Sequence, residues 1–398
     1  MSTTIDVPSE DLASAAPKAL GATEPRLRPL VPPVALYLVS RASVLFAAFA
    51  ATWFERRLTV QDALTGWDAG WFIRIARSGY PDSLGAEPGG GNRWAFFPGF
   101  PASVRAVVST TGLSYQTAGI VVGFLTGLGA SIAIWLLVSR RFGRDVATRT
   151  VGLFVFFPAA YTLSMAYSDG LFILSAACCL LWLDRRRWAL AGLAASVACL
   201  TRGFGVVLVA SCLVEAVLAS WRSRRVTPLL ASVTAPIGFL LWSGYQWKRV
   251  DDPLAFNKAY ELWGSDFVWF RTPFDSAWRL MSTTSAWGSA PDVMATLGLL
   301  FVVVGLLLLS RLHLTSRPVP WGWWVYGLGS GLLAFTPFWP TSVLRYTMAV
   351  IPAFVGFAWH LRREWTPAVL AGLSAIQASI ALVAFVSVVT WQTAPFAP

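Results

Sequence analysis

The stretch TAGIVVGFLTGLGASIAIWLLVSRRFGRDVATR, Thr117–Arg149, decides the fold. From Thr117 to Ser139 it carries no charge. A helix needs about 20 such residues to cross a hydrocarbon layer roughly 30 Å thick. Arg140, Arg141, Arg144 and Arg149 follow directly. Arginines gathered in a short turn after an apolar run mark the cytoplasmic end of a membrane crossing.

The same alternation runs through the chain. Hydrophobic residues make up 56% of it and charged residues only 13%, with a mean hydropathy of +0.59. A soluble domain carries about 25% charged residues, so a soluble fold is excluded. Lipid offers no partner to a free backbone N–H or C=O, so repeated apolar runs of this length mean helices. The expected fold is an all-α, polytopic transmembrane bundle. Apolar runs at 34–54, 117–139, 150–166, 169–183, 188–200, 203–220, 226–246, 292–310, 319–337, 342–360 and 367–391 give about 11 crossings. Residues 1–33, polar and rich in Pro and Ala, read as a disordered cytoplasmic tail, and residues 34–398 as the membrane domain.

Starting inside, this topology puts Lys18, Arg26 and Arg28, the Arg140–Arg149 group, Arg185–Arg187, Arg222, Arg224 and Arg225, Arg311 and Arg317, and Arg362 and Arg363 in the cytoplasm. These are more than half of the 31 basic residues, so the net charge of +11 reflects membrane orientation and not a nucleic-acid partner. Two long loops, about 55–116 and 247–291, then face outside. Within the first, WAFFPGFPASVRAVV, Trp94–Val108, has two prolines and Arg105, which suit an interfacial or re-entrant helix. The run at 188–200 is too short to span alone, and breaks near Tyr167–Gly170 and Thr201–Gly203 predict a water-accessible pocket in the outer leaflet. Cys178, Cys179, Cys199 and Cys212 all lie in apolar runs and read as small packing residues.

Against this background one set of residues stands out. Asp68, Tyr167, Ser168, Asp169, Thr201, Arg202, Asp251, Asp252, Arg345 and Tyr346 all fall at the outer helix ends. Ionisable groups near membrane depth are costly and usually serve a site. Asp68 opens a helix in LTGWDAGWFIRIARSGYP, Leu64–Pro81, whose Trp71, Phe72 and Ile75 share one apolar face while Arg74 and Arg77 fall away from it. Bland readings exist: Asp68 and Asp169 as helix caps, Arg202 and Arg345 as snorkelling cations, Asp251 and Asp252 as a turn before Pro253. Both histidines, His313 and His360, fall on the cytoplasmic side. If the chemistry is outside, a carboxylate must act as the base, and Asp68 is the best placed.

In order, GWDAGWFIRIARSGYP, FFPGFP, AYSDGLFIL, CLTRGFGVVL and DPLAFNKAYELWG resemble the GPI mannosyltransferase 2 (PIG-V) family of GT-C integral membrane glycosyltransferases, over about residues 36–360. The Ala/Arg/Trp-rich composition resembles its bacterial branch. The resemblance implies transfer of a mannosyl residue from a polyprenyl-phosphate carrier to an acceptor on the extracytoplasmic face. It maps the acidic catalytic residue of the first outer loop onto Asp68. The family's YSE motif stands here as Tyr167–Asp169, one methylene shorter, and RSNG as Thr201–Gly205, which keeps Arg202 but loses the Ser-Asn pair.

The expected substrate-binding set is Trp67, Trp71, Tyr167, Ser168, Asp169, Arg202, Arg345 and Tyr346, with Arg202 and Arg345 on the phosphate, whose oxygens their forks match. A lipid-linked or cell-envelope glycan is the expected acceptor, membrane lipid the surroundings, and the cell membrane the location. Because the phosphate itself is the leaving group, no metal or other cofactor is expected. The chain has no nucleotide-binding glycine loop and no internal repeat. A transporter or flippase would also carry broken helices and buried charge, but with two related halves. A non-catalytic scaffold subunit is the third reading.

Overall fold

The computed structural model describes residues 30–87, 90–264, 271–282, 290–315, 318–336 and 340–390. Among them there is no strand. The helices run α1 (Val31–Phe54), α2 (Val60–Thr65), α3 (Asp68–Ser78), α4 (Gly99–Thr111), α5 (Tyr115–Phe142), α6 (Arg144–Val155), α7 (Asp169–Asp184), α8 (Trp188–Thr201) and α9 (Gly205–Ser223). They continue as α10 (Leu230–Thr234), α11 (Ile237–Val250), α12 (Ala255–Leu262), α13 (Arg271–Ser282), α14 (Ala290–Thr315), α15 (Trp321–Ala334), α16 (Val343–Thr347), α17 (Ile351–His360) and α18 (Thr366–Thr390). The all-α membrane bundle expected from the apolar runs is the fold observed.

Six spans among the described residues are long and apolar enough to cross a membrane, or seven when α6 and the following 3-10 turn, Pro158–Ser164, count as one. The expected runs at 150–166 and 342–360 are not single helices. The first bends by 81° at its break, because Pro158 has no N–H to continue α6 and forces the residue before it out of helical geometry. The second divides into α16 and α17 just before Pro352, which stands in the first turn of α17. Trp94–Val108 forms a short turn and then α4, whose 13 residues reach only about 20 Å, short of the hydrocarbon thickness. Of the tail expected over 1–33, residues 1–29 lie outside the described set, and α1 already begins at Val31.

The break after α6 frees backbone carbonyls inside the bundle, where each must find a donor. Arg41 and Gln377 supply them. Arg41, 1% exposed, donates from Nη1 to Ala160 O at 2.6 Å and from Nη2 to Val155 O at 3.1 Å. Gln377 Nε2 donates to Val155 O and Phe157 O, both at 2.9 Å. Two distant helices, α1 and α18, thus hold the bend through side chains rather than through apolar packing alone.

Close approach fixes the centre of the bundle. A Cβ on Gly170 would meet Thr126 Oγ1 at 2.7 Å and Gly127 N at 2.8 Å, so the glycine after Asp169 lets α7 lie directly on α5. The helices run so that the arginine-rich turns gather at one end. There Arg141 reaches Asp184 at 3.2 Å, and the ring of Phe142 packs on Trp359. Both histidines end helices at this same end. At the other end lie α2, α3, α4, α12, the start of α7 and the end of α8.

Candidate functional site

Asp68 owes its position to an elbow. Gly66 is extended, and Trp67, at φ 57 and ψ −131, takes a backbone conformation that L-residues rarely adopt. Such strain persists only where the surroundings enforce it. Here the indole of Trp67 is buried and donates to Ala384 O on α18 at 3.0 Å. The elbow starts α3 with Asp68 as its first residue. Trp71, Phe72 and Ile75 then bury one face, as the spacing predicts, while Arg74 and Arg77 stay outside. Trp67 is therefore directed at α18, and Trp71 at Phe96 and Trp263, with ring centroids 6.0 and 5.0 Å away.

The Asp68 carboxylate makes an ion pair with Arg345, Oδ2 to Nη1 at 2.7 Å, across 277 positions of sequence. The arginine side chain is 9% exposed and the carboxylate 26%. Asp68 N also donates to the Tyr167 hydroxyl at 3.2 Å. Among the described residues, the buried Arg345 Nε has no hydrogen-bond partner.

A second pair stands beside the first. Arg202, in extended conformation at the end of α8, places Nη2 3.0 Å from Asp169 Oδ2 and donates from Nε to Ser168 Oγ at 3.1 Å. Asp169 is the first residue of α7 and is 1% exposed. Tyr346 joins the two pairs: the guanidinium of Arg202 lies 5.7 Å from its ring centroid and that of Arg345 lies 5.3 Å away. Arg345 also covers Tyr167 at 5.1 Å. Two cations around one ring, each matched by one carboxylate, form a neutral unit in a poorly hydrated place, where an unmatched charge is expensive.

Seven of the residues singled out in the sequence thus meet in one cluster: Asp68, Tyr167, Ser168, Asp169, Arg202, Arg345 and Tyr346. Asp251 and Asp252 stand apart as a turn. Asp251 ends α11 in left-handed conformation. Asp252 accepts from Leu254 N at 2.9 Å and pairs with Lys258 at 2.7 Å, and these bonds, Lys258 first, hold its carboxyl below the usual range. Sequence reasoning gave Arg41 and Gln377 no role; a cation and an amide in apolar runs were the available signal. Among the described residues, no three His, Cys, Asp or Glu side chains group closely enough to hold a metal ion.

Residues 98–247, less than half of the chain, match the model of the family described as dolichyl-phosphate-mannose-protein mannosyltransferase. That interval holds Tyr167, Ser168, Asp169 and Arg202; it begins after Asp68 and ends before Arg345. Among curated proteins none matches in sequence. Similar solved structures include ArnT from Cupriavidus metallidurans bound to undecaprenyl phosphate, at 15% identity and TM-score 0.49, covering 88% of this chain and 75% of that one. They also include the Archaeoglobus fulgidus oligosaccharyltransferase in complex with zinc and sulfate, at 13% identity and TM-score 0.48, covering 89% and 56%. The same oligosaccharyltransferase tethered to an acceptor peptide gives 12% identity and TM-score 0.47, with the same coverage. The chain therefore spans just over half the length of the oligosaccharyltransferase. The matched segment, lying across the helices that carry one of the two ion pairs, supports the GT-C class of integral membrane glycosyltransferases.

Proposed function

We propose that this protein is a membrane mannosyltransferase of PIG-V-like type, taking the sugar from a polyprenyl-phosphate donor and giving it to a lipid-linked or cell-envelope glycan on the extracytoplasmic face. The observation that carries this reading is the meeting of two arginine–carboxylate pairs around Tyr346 at the bundle end opposite the arginine-rich turns. Arginine-rich turns favour the cytoplasmic side, which supports an extracytoplasmic site. The matched family segment supports a glycosyl transfer, and the resemblance of the sequence motifs supports mannose.

The residues suit the chemistry. A sugar phosphate brings its own leaving group, and the protein must hold that anion and take one proton from the acceptor hydroxyl. Arg345 and Arg202 hold the phosphate oxygens, where planar forks bind best. Asp68 takes the proton. The acceptor oxygen bonds to the anomeric carbon as the carbon–phosphate oxygen bond breaks, and the electron pair leaves with the phosphate. Attack from the face opposite the phosphate inverts the anomeric centre, so a β-linked donor gives an α-glycoside.

The ion pair adds a condition to this scheme. Asp68 rests against Arg345, so an incoming phosphate competes with it for the guanidinium. Donor binding thereby frees the carboxylate for the acceptor. Near the elbow, an apolar cavity of about 340 Å³ lined by residues including Leu45, Leu64, Ile120, Phe124 and Leu125 suits a hydrocarbon chain of the carrier. The deciding experiment measures mannose transfer from a synthetic polyprenyl-phosphate mannose to membrane lipids by purified Asp68→Asn protein. Loss of transfer with unchanged folding is expected; near-wild-type turnover removes the base assignment. Mass spectrometry of envelope glycolipids from a deletion strain names the acceptor as the product that loses one sugar.

A further inference from the structure

One quoted motif, DPLAFNKAYELWG, has so far been left without a role. It builds α12 and the residue after it. Phe256, Tyr260 and Trp263 stand at i, i+4 and i+7, so they form one stripe along the helix. Both ends of the stripe are anchored beside the site. Phe256 packs on Phe97 with centroids 5.3 Å apart, and Phe97 closes over Gly203, where a Cβ would come within 3.7 Å of its Cζ. That end stands next to Arg202.

The other end stands next to Asp68. Trp263 packs edge-on against Trp71, one turn after the carboxylate, at 5.0 Å. Its indole donates to Asn92 O at 3.2 Å. Gly91, at φ +66, lies so close beneath the ring that a Cβ would come within 2.1 Å of it, so only glycine fits there. Gln246 completes the fastening, accepting from Phe256 N at 2.8 Å. α12 is therefore fixed as a roof between the two ion pairs, with Tyr260 at its middle.

Tyr260 stands on the same face of α12 as Phe256 and Trp263, between the two anchors, and is 40% accessible. The charged and polar groups it feels are Tyr346, Arg202, Asp68 and Arg345. Burial first, and then Tyr346, pushes the Tyr260 hydroxyl above its usual range, so it stays a neutral donor and acceptor at physiological pH. A neutral hydroxyl beside a phosphate-binding pair of arginines is suited to a sugar hydroxyl, the one uncharged polar group that the donor carries in number.

From this placement we infer that Tyr260 is a substrate-contacting residue that reads one hydroxyl of the transferred sugar, with α12 as the roof that holds it in register. The inference rests on the glycosyltransferase reading of the site beneath it. A site built to bond a substrate hydroxyl discriminates strongly against an analogue that lacks it.

The test uses the full-length protein in detergent, citronellyl-phosphate-linked mannose and its 2-, 3-, 4- and 6-deoxy analogues as donors, and extracted membrane lipids as acceptor. Wild-type protein is expected to lose roughly 10- to 100-fold in kcat/KM with one deoxy donor. Tyr260→Phe keeps the ring and its packing. It is expected to lose about the same factor with the parent donor and to treat that one deoxy donor as wild type does. Equal kcat/KM for Tyr260→Phe and wild type on the parent donor overturns the inference and leaves the glycosyltransferase reading standing. Absence of transfer by wild type from every donor overturns both. A uniform loss in Tyr260→Phe across all donors, with no deoxy donor spared, assigns the residue to packing and overturns the inference.

Discussion

The two ends of the bundle use arginine in opposite ways. At one end Arg141 pairs with Asp184 at 3.2 Å, with the arginine 30% exposed, in a region crowded with Arg140, Arg144 and Arg185–Arg187. At the other, Arg345 and Arg202 are 9% and 14% exposed, and each meets one carboxylate. The first end has an excess of one sign and meets water; the second is balanced and enclosed. Charge in excess is the pattern expected of a cytoplasmic face, whereas the matched pairs are the feature on which the proposed site rests.

The sharpest way to break this contrast is at Asp68. Asp68→Asn keeps an acceptor for Arg345 but removes the proposed base, and transfer should fall by about 10³-fold, measured as labelled product per inserted protein. The buried arginine that takes no part in the site comes next. Arg41→Leu takes the side-chain donor from the Ala160 carbonyl, while Val155 O keeps Gln377, and should lower stability by about 2 kcal/mol, read from thermal unfolding in detergent. Arg202→Lys keeps the charge but loses the fork between Ser168 and Asp169, so KM for the donor should rise by roughly tenfold or more. Arg141→Gln leaves Asp184, itself 9% exposed, without its partner and should cost stability on the order of 1 kcal/mol or more, yet leave turnover within about twofold. An effect there as large as that at Arg202 would erase the distinction between the ends.

The smallest effect concerns acid. Asp252 has its carboxyl held below the ordinary range by Lys258 and Leu254 N. A depressed value means the contribution is present above the ordinary carboxylate range and disappears as pH falls through the lowered one. Hydrogen exchange of the Leu254 amide should accelerate over that acidic window, and Asp252→Asn should abolish the acceleration.

Much of this was legible in the chain because lipid removes options. Backbone groups without water must pair within helices, so uncharged runs such as Thr117–Ser139 declare themselves. The polar residues at 68, 167–169, 202 and 345–346 were visible for the same reason. Hidden from the sequence was who pairs with whom. Arg345 reads as a phosphate ligand, and the structure places it on Asp68; Trp67 reads as a substrate contact, and its indole reaches Ala384. Periodicity describes one helix at a time and says nothing of partners 277 or 317 positions away. The interruption at Pro158 was legible as a proline, but the 81° turn it produces depends on Arg41 and Gln377 arriving from α1 and α18.

The separation of 277 positions between Asp68 and Arg345 has a bearing on how the protein is made. Arg202 and Ser168 stand 34 positions apart, so one half of the cluster assembles soon after α8 emerges from the ribosome. The Asp68 carboxylate has no such early companion. It waits through the synthesis of most of the chain, and the unit becomes electrically neutral only when α16 docks. An activity that needs both pairs therefore cannot arise before α16 has been made and docked.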